Sequence, residues 1–347
     1  MSTATSALEP VLSVRDMRVW YGSTGGAVRA VDGVSFDLRP GETLGLVGES
    51  GCGKSTLGRG LLGLLPRGAY VDGDLDFKGR PMPKFGTKEQ RALRGGELGM
   101  IFQEPMTRLN PLMRISHHFE ETLRAHNPKM SKDEVKHRSL EVLRVMGIPP
   151  TRYGSYPHEF SGGMRQRLMI ALALVLRPAF VVADEPTTAL DVLVEAQIIK
   201  ILHDLRSEFD TSLLLITHNL GIVAEACDRV AVMYAGRIVE IGDSEQVFAE
   251  PQHPYTQELL RSTISLSTTG LNFIPGAPPD LVDPPPGCNF HPRCPQAMRV
   301  CSQQDPVNLR LPSGQRVECW LHGPEDQVPP GGREPLEREE ISVADEA

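Results

Sequence analysis

Residues 48–56 have the types and spacing of a phosphate-binding loop, here called the phosphate loop. They read Gly-Glu-Ser-Gly-Cys-Gly-Lys-Ser-Thr. Glycines let successive backbone N–H groups turn towards an anion at the start of a helix. In this pattern Lys54 reaches the β- and γ-phosphates of a nucleotide, and the Ser55 hydroxyl binds Mg²⁺. The predicted nucleotide-contacting residues of the loop are Gly48, Ser50, Gly51, Cys52, Gly53, Lys54, Ser55 and Thr56.

The elements on either side of the phosphate loop fit this interpretation. Residues 43–47 form an apolar run typical of a buried strand, and residues 57–65 have a helical pattern despite their glycines. Strand, glycine-rich loop and helix, in that order, is the context that such a loop needs. A glycine-rich turn with an incidental lysine is the alternative, and the flanking elements count against it.

A second apolar run ends in two adjacent carboxylates. Residues 180–183 predict a buried strand, and Asp184 and Glu185 follow it directly. Beside a phosphate site, Asp184 can hold Mg²⁺ through water and Glu185 can polarise the attacking water. A strand followed by an acidic turn is the structural alternative. The phosphate loop earlier in the chain favours the catalytic interpretation.

A third motif opens a predicted helix that runs to about residue 176. Residues 161–166 read Ser-Gly-Gly-Met-Arg-Gln, and Ser161 is a suitable N-cap. Gly162 and Gly163 leave backbone N–H groups exposed at the positive end of the helix dipole. A plain capped helix is the alternative, but the motif lies shortly before the Asp184–Glu185 strand, which favours a functional role.

Apolar periodicity predicts an α/β protein. Residues 11–20 and 28–38 alternate apolar with polar side chains, as antiparallel strands do. From about residue 105 to 177 helical patterns replace strands, and one of these helices begins with a predicted capping box of Ser131 and Glu134. Strands and helices then alternate again, which indicates a parallel sheet covered on both faces.

Composition indicates how the chain divides into domains and which classes of protein are disfavoured. The 347 residues are 40% hydrophobic and carry a net charge of −8 without a long basic stripe, which counts against a nucleic-acid-binding surface. We expect a main domain at 10–250 with a helical subdomain at about 105–177, then a C-terminal extension at 251–322. The tail, 323–347, has too few apolar residues to pack and is predicted to be disordered.

The chain contains no apparent targeting or membrane-spanning segment. Its first ten residues lack the basic head and apolar core of a signal peptide. The longest apolar stretch, 168–183, is interrupted by Arg177-Pro178 and is too short to cross a bilayer. We therefore expect a cytosolic protein that meets a membrane only through partners.

Four of the six cysteines cluster in the C-terminal extension. They are Cys288, Cys294, Cys301 and Cys319, with the spacing C-x5-C-x6-C-x17-C. In a reducing compartment such a cluster indicates a metal rather than disulfides. Four thiolates suit tetrahedral zinc or an iron–sulfur cluster, although the spacing matches neither zinc ribbons nor common ferredoxins. Iron–sulfur, zinc and no metal all stay open on this evidence.

Five motifs, in this order, make the chain resemble the ATPase subunit of an ABC transporter over about residues 11–260. They are the phosphate loop, Gln103 after a strand, Phe-Ser-Gly-Gly-Met-Arg-Gln-Arg at 160–167, Ala-Asp-Glu-Pro-Thr-Thr-Ala-Leu-Asp at 183–191, and Thr217-His218. The 160–167 run, Phe-Gln-Glu-Pro-Met-Thr-Arg-Leu-Asn-Pro at 102–111 and His-Pro-Tyr-Thr at 253–256 are similar to the oligopeptide/dipeptide importer branch. The resemblance implies a P-loop NTPase fold with a RecA-like parallel core, an antiparallel β subdomain and a helical insert.

The resemblance also implies roles for single residues. Tyr21 matches the aromatic residue that stacks on adenine, with Trp20 as the competing candidate. Gln103 matches the residue that contacts Mg²⁺ or the attacking water, and His218 matches the histidine that holds the γ-phosphate. Two further matches concern the contact between subunits. Ser161, Gly162 and Gly163 match the signature that caps the opposite subunit's ATP, and Asp191 matches the inter-subunit loop.

Cofactors and partners follow from the same resemblance. The implied cofactors are ATP, Mg²⁺ and a 4Fe–4S cluster at the four cysteines, with Zn²⁺ as the alternative. The implied partners are a second ABC ATPase subunit, often a paralogue, two transmembrane permease subunits and, indirectly, an extracytoplasmic peptide-binding protein. The expected location is the cytoplasmic face of the cell membrane. A nickel or other small-solute importer and a soluble non-transport ABC ATPase are the rival interpretations.

Overall fold

The computed structural model describes residues 9–103, 109–187, 191–262 and 273–336. The strands are β1 (Leu12–Ser23), β2 (Gly26–Leu38), β3 (Thr43–Val47), β4 (Tyr70–Phe77), β5 (Arg80–Pro81), β6 (Leu98–Ile101), β7 (Phe180–Asp184), β8 (Ser212–Ile216), β9 (Arg229–Tyr234), β10 (Arg237–Asp243), β11 (Asn308–Arg310) and β12 (Arg316–Glu318). The α-helices are α1 (Lys54–Leu61), α2 (Lys88–Leu93), α3 (Ile115–His126), α4 (Lys132–Val145), α5 (Gly162–Leu174), α6 (Val192–Phe209), α7 (Leu220–Ala226), α8 (Ser244–Ala249) and α9 (Pro254–Arg261).

The central sheet has eight strands in the order β11-β12-β10-β9-β3-β8-β7-β6. The five strands from β9 to β6 are parallel, as the alternation of strands and helices predicts. The segments that follow β3, β8, β7 and β6 therefore leave the sheet at the same edge. In parallel α/β sheets this carboxyl edge is where ligands bind. The phosphate loop, His218, Glu185 and Gln103 all lie just beyond it.

The predicted antiparallel strands form a second, smaller sheet. Its order is β2-β1-β4-β5, and every neighbouring pair is antiparallel. Apolar side chains of β1 and β2 such as Val14, Val31 and Phe36 are buried against α1 and the central sheet. The small sheet thus covers the helix that follows the phosphate loop.

The stretch between β6 and β7 is helical where the structure describes it. Residues 109–177 contain α3, α4, α5 and two 3₁₀ helices. The predicted capping box is present, because the Glu134 backbone donates to the Ser131 hydroxyl and the Glu134 carboxylate accepts from the Ser131 backbone N–H. Phe119 and Leu143 are among the side chains buried between these helices. Residues 104–108 of the motif at 102–111 lie outside the described residues.

The C-terminal extension joins the central sheet. Strand β12 pairs antiparallel with β10, so that Glu240 lies opposite Val317, and β11 extends the sheet by one more strand. Arg237 of β10 strengthens the junction with ion pairs to Glu318 and Asp305, both at 3.0 Å. The extension is therefore anchored to the main domain by main-chain hydrogen bonds, which the sequence pattern did not predict.

The first part of the predicted disordered tail is folded. Backbone N–H groups of Arg299 and Val300 donate to the carbonyl oxygens of Glu334 and Gly332, and Leu336 N–H donates to Ala297. A 3₁₀ helix at Glu325–Gln327 belongs to the same segment. Residues 323–336 thus have a defined structure where disorder was predicted, held by these main-chain hydrogen bonds and by the packing of Val328 and Leu336 against buried apolar side chains. Residues 337–347 lie outside the described residues.

Within the described ranges, no helix has both the length and the apolar character needed to cross a bilayer.

Candidate functional site

All eight predicted residues of the phosphate loop lie between the end of β3 and the first turn of α1. The backbone of this loop depends on glycine at two positions where another part of the chain comes close. Gly53 has φ +107, and a Cβ there would lie 1.9 Å from the carbonyl oxygen of Ala30. At Gly48, with φ +150, a Cβ would lie 2.1 Å from the Met233 carbonyl oxygen. The loop is thus packed tightly against β2 and β9.

This packing gives a first prediction. We expect Gly53→Ala to lower the free energy of unfolding by at least about 4 kcal/mol, because it combines an unfavourable φ with overlap of backbone atoms. Gly51→Ala is the matched control. Gly51 also has a positive φ, +80, but no other atom lies within 4 Å of a Cβ placed there. Gly51→Ala should lower the free energy of unfolding by only about 1–2 kcal/mol. Urea denaturation of both variants measures the difference, and equal losses would contradict the packing argument.

Lys54 lies buried at the mouth of the loop. Its Nζ donates to the carbonyl oxygens of Gly48 at 2.7 Å and Glu49 at 2.8 Å. The ammonium group is therefore held inside the ring of backbone atoms that forms the predicted phosphate site. Its third N–H contacts the Cys52 sulfur at 3.8 Å, a weak acceptor that an anion can replace.

Ser55 and Asp184 meet across the sheet edge. The Ser55 hydroxyl donates to Asp184 Oδ1 at 2.7 Å, and Arg59 lies 3.7 Å from Oδ2. Burial raises the pKa of the Asp184 carboxyl group, while the Ser55 hydrogen bond and the Arg59 charge oppose the rise. A hydroxyl and a carboxylate so close together are the hard oxygen donors that Mg²⁺ prefers. The donor set fits the predicted magnesium site.

Gln103, Glu185 and His218 converge from three neighbouring strands. The Gln103 amide donates to Glu185 Oε2 at 3.0 Å, and His218 Nδ1 lies 3.6 Å from Glu185 Oε1. Glu185 has φ +46, a left-handed conformation that is uncommon away from glycine. Its N–H donates to the Ile216 carbonyl oxygen at 2.9 Å, which holds the turn. The three predicted catalytic side chains therefore form one cluster.

The two aromatic candidates differ in their surroundings. Trp20 lies opposite Tyr70 with ring centroids 5.1 Å apart, and the Arg29 guanidinium lies 5.5 Å from its ring. Tyr21, the next residue, is half-buried beside the core under the small sheet. Trp20 is thus engaged by its strand neighbours.

The remaining predicted residues lie at helix starts. Ser161 caps α5 through its hydroxyl, which accepts from Met164 N–H at 3.4 Å, and both Ser161 and Gly162 are exposed. Asp191 caps α6 by accepting from Val194 N–H at 2.9 Å. A Cβ at Gly163 would lie 2.7 Å from Val194 Cγ1, so the two helix starts are packed together. Residues 188–190 of the motif at 183–191 lie outside the described residues.

None of the four cysteines of the C-terminal extension is in a disulfide. Burial raises the pKa of the Cys288 thiol, and charges on Cys319, Cys301 and Cys294 add to the rise. Among the described residues, however, no group of three or more His, Cys, Asp or Glu side chains is arranged to hold a metal ion. The structure therefore does not support the expected metal site at these four cysteines.

The sequence did not reveal one contact to the phosphate loop. Arg293 of the C-terminal extension forms a bidentate ion pair with Glu49, at 2.7 and 2.9 Å. The Tyr255 hydroxyl accepts from Glu49 N–H at 2.9 Å. The only sequence signal is a lone arginine between Cys288 and Cys294, which does not point to a partner 244 residues away.

Comparison with known proteins agrees with this site. Residues 31–188 match the ABC transporter family, and residues 239–301 match the C-terminal region of oligopeptide/dipeptide transporters. The chain is 47% identical to the dipeptide transport ATP-binding protein DppD of Bacillus subtilis, over 90% of this chain and 95% of the relative. This chain belongs to the ABC transporter ATP-binding proteins of the oligopeptide/dipeptide family. It is also 47% identical to the oligopeptide transport ATP-binding protein OppD of Salmonella typhimurium, over 91% of this chain and 96% of the relative.

Solved structures support the fold of this ABC ATPase. CbiO1 of Clostridium perfringens, part of the ABC transporter complex CbiONQ, aligns with a TM-score of 0.61 at 29% identity, over 70% of this chain and 91% of that one. The bacterial ABC transporter cassette MJ0796, solved as a dimer, aligns with a TM-score of 0.60 at 25% identity, over 67% of this chain and 99% of that one. The family region at 239–301 includes Cys288, Cys294 and Cys301, whereas Cys319 lies beyond it.

Proposed function

We propose that this chain is the ATP-hydrolysing subunit of an importer for dipeptides or oligopeptides. The observation that carries the proposal is the convergence of the phosphate loop, Asp184, Glu185 and His218 at one sheet edge, in a chain with the peptide-transporter C-terminal region. The peptide substrate is inferred from relatives that are named for dipeptide and oligopeptide transport.

The proposed chemistry uses the contacts described above. Lys54 and the N–H groups of the phosphate loop bind the phosphates, and Ser55 and Asp184, with Gln103, hold Mg²⁺. The ion offsets the negative charge of the β- and γ-phosphates. Glu185 then accepts a proton from the attacking water, and the Gln103 and His218 side chains orient its carboxylate. His218, whose side chain is largely exposed, is proposed to donate to the γ-phosphate.

Further residues are proposed to complete the site between two ATPase subunits. Ser161 and Gly162 are exposed at the start of α5, where backbone N–H groups favour an anion, and they would cap ATP held by the partner's phosphate loop. Gly163 and Asp191 would keep the starts of α5 and α6 in position, because both residues contact Val194. Tyr21 is proposed to stack on the adenine.

The proposed partners follow from the family. A second ATPase subunit, a paralogue or another copy, supplies the opposite half of each site, and two permease subunits form the pathway through the membrane. An extracytoplasmic binding protein delivers the peptide. We place the chain at the cytoplasmic face of the membrane, held there by the permease subunits.

Uptake in cells tests this function and its rival together. Cells that lack this chain should fail to accumulate a labelled dipeptide or oligopeptide, and re-expression of the chain should restore uptake. Labelled nickel is measured in the same cells, because a nickel importer is the alternative. Normal peptide uptake together with lost nickel uptake would reject the peptide assignment.

We also propose that the four cysteines bind a 4Fe–4S cluster. The support for this proposal is that all four cysteines lie in one segment without a disulfide, and that charges on Cys294, Cys301 and Cys319 raise the pKa of the Cys288 thiol. A 4Fe–4S cluster takes one thiolate on each of its four irons, which matches the number of cysteines. The Cys288 N–H donates to the Cys301 carbonyl oxygen at 2.8 Å and ties two of the ligand positions together.

Metal analysis tests the cysteine site. Chain purified without oxygen should contain about four irons and as many sulfides, with a broad visible absorption band. Cys301→Ser should lose most of the iron, whereas Cys227→Ser, which removes a buried cysteine outside the cluster, should retain it. Stoichiometric zinc, or no metal in the wild-type chain, would contradict the cluster.

A further inference from the structure

An ion pair joins the C-terminal extension to the second residue of the phosphate loop. Arg293 Nη1 and Nη2 donate to the two carboxylate oxygens of Glu49 at 2.7 and 2.9 Å. The Arg293 side chain is 5% exposed and that of Glu49 is 23% exposed. A bidentate pair with little exposure is one of the stronger ionic contacts available to a protein.

The extension fixes the arginine from its own side. Arg293 Nε donates to the Pro275 carbonyl oxygen at 2.9 Å, and Nη2 also donates to the Ile274 carbonyl oxygen at 3.2 Å. Nη1 donates in addition to the Tyr234 hydroxyl at 3.3 Å. The guanidinium is therefore held in place by several contacts besides the one to Glu49.

A small aromatic cluster holds the backbone near Arg293. Phe290 is fully buried, with its ring centroid 5.1 Å from that of Tyr234 and 5.3 Å from that of Tyr255. Tyr255 in turn accepts the Glu49 N–H through its hydroxyl oxygen. Residues of the extension thus contact both the main chain and the side chain of Glu49.

The charge of Glu49 matters because of where it lies. Its carbonyl oxygen accepts from Lys54 Nζ, so it belongs to the same ring of atoms that is proposed to bind phosphate. A free carboxylate beside that ring would repel the phosphates of ATP, and poor access to water would strengthen the repulsion. Arg293 neutralises the carboxylate and holds it against the extension.

We propose that Arg293 is a positioning residue for nucleotide binding, so that the C-terminal extension forms part of the ATP site. By pairing with Glu49 it keeps the Glu49 carboxylate from offsetting the positive charge of Lys54 in the phosphate loop. This inference rests on the proposed nucleotide site. It assigns the extension a role in ATP affinity that is separate from any metal.

The charge argument predicts an order of ATP affinities. Arg293→Met leaves Glu49 unpaired and should weaken Mg–ATP binding about tenfold. Glu49→Gln leaves the arginine charge beside the loop and should tighten binding about threefold. The double variant removes both charges and should return to within about twofold of wild type.

Equilibrium binding of Mg–ATP to the full-length chain measures all three affinities. The KM for ATP in the assembled transporter should follow the same order with little change in kcat.

Arg299→Met is the matched control. It removes an arginine of the same extension from an exposed pair with Glu334, at 2.7 Å with both side chains more than half exposed. Its ATP affinity should equal that of wild type. Circular dichroism and thermal unfolding of every variant verify folding. If Arg293→Met does not fold, Glu49→Gln, which keeps the arginine and its contacts to Pro275 and Ile274, still tests the direction of the charge effect.

Three results would overturn the inference. Arg293→Met could bind ATP as wild type does, the double variant could be as weak as Arg293→Met, or Glu49→Gln could bind more weakly than wild type. The second result would mean that Arg293 only holds the extension in place. Lys54→Ala separates this inference from the proposed function. If the wild-type chain binds ATP and Lys54→Ala does not, the nucleotide site stands whatever the order of the Arg293 and Glu49 variants.

Discussion

Replacing Glu185 by glutamine is expected to leave ATP bound and to slow its hydrolysis about 10³-fold. The amide is nearly the same size as the carboxylate, so it can occupy the same position. There the Glu185 oxygens lie 3.0 Å from the Gln103 amide nitrogen and 3.6 Å from His218 Nδ1. An amide cannot accept a proton from water at neutral pH, and the general base is lost. Phosphate release from the assembled transporter measures turnover, and equilibrium binding of Mg–ATP measures retention.

Glu97→Gln is the matched control for this variant. Glu97 pairs with Lys78 on the surface at 2.6 Å, and both side chains are about half exposed. Glu97→Gln should change turnover by less than about twofold, since exposed ion pairs contribute little to stability. Hydrolysis by Glu185→Gln at the wild-type rate would show that the carboxylate beside Gln103 and His218 is not the base.

Replacing Lys54 by alanine is expected to weaken Mg–ATP binding at least about 100-fold. The buried ammonium is the only side-chain cation among residues 48–56, and its contacts with the Gly48 and Glu49 carbonyl oxygens hold the ring of the phosphate loop. Its removal takes away a charge-assisted contact to phosphate and a constraint on the loop. Equilibrium binding with a fluorescent ATP analogue measures the loss.

Lys78→Ala provides the comparison for Lys54→Ala. Lys78 is an exposed lysine of the small sheet, paired with Glu97, and its loss should not change ATP affinity. Unchanged binding by a folded Lys54→Ala variant would contradict the assignment of residues 48–56 as the phosphate site.

Most of the proposed catalytic cluster could be predicted from sequence because its signals are local. The phosphate loop, the Asp184–Glu185 pair and His218 each follow a short apolar strand, so chain order alone places them at strand ends. Parallel pairing then brings those ends to one edge. The contacts between Ser55 and Asp184 and between Gln103 and Glu185 are consequences of that pairing.

The contribution of the C-terminal extension could not be predicted in this way. Its strand β12 has only three residues, too few for periodicity to show, and its partner β10 lies about 75 residues earlier in the chain. The ion pair of Arg293 with Glu49 has no local signal at either end. Residues 323–336 have a composition typical of disorder, yet they fold through main-chain hydrogen bonds and the packing of Val328 and Leu336, neither of which composition records.

Peptide transport by reconstituted vesicles tests the central claim most directly. The chain would be assembled with its permease subunits and partner ATPase in vesicles, and peptide movement would be followed with ATP and with a non-hydrolysable analogue. We expect labelled peptide to cross the membrane only with hydrolysable ATP, and not when this chain carries Glu185→Gln. Equal transport with the analogue, or undiminished transport by the Glu185→Gln assembly, would contradict the account that this chain couples ATP hydrolysis to peptide import.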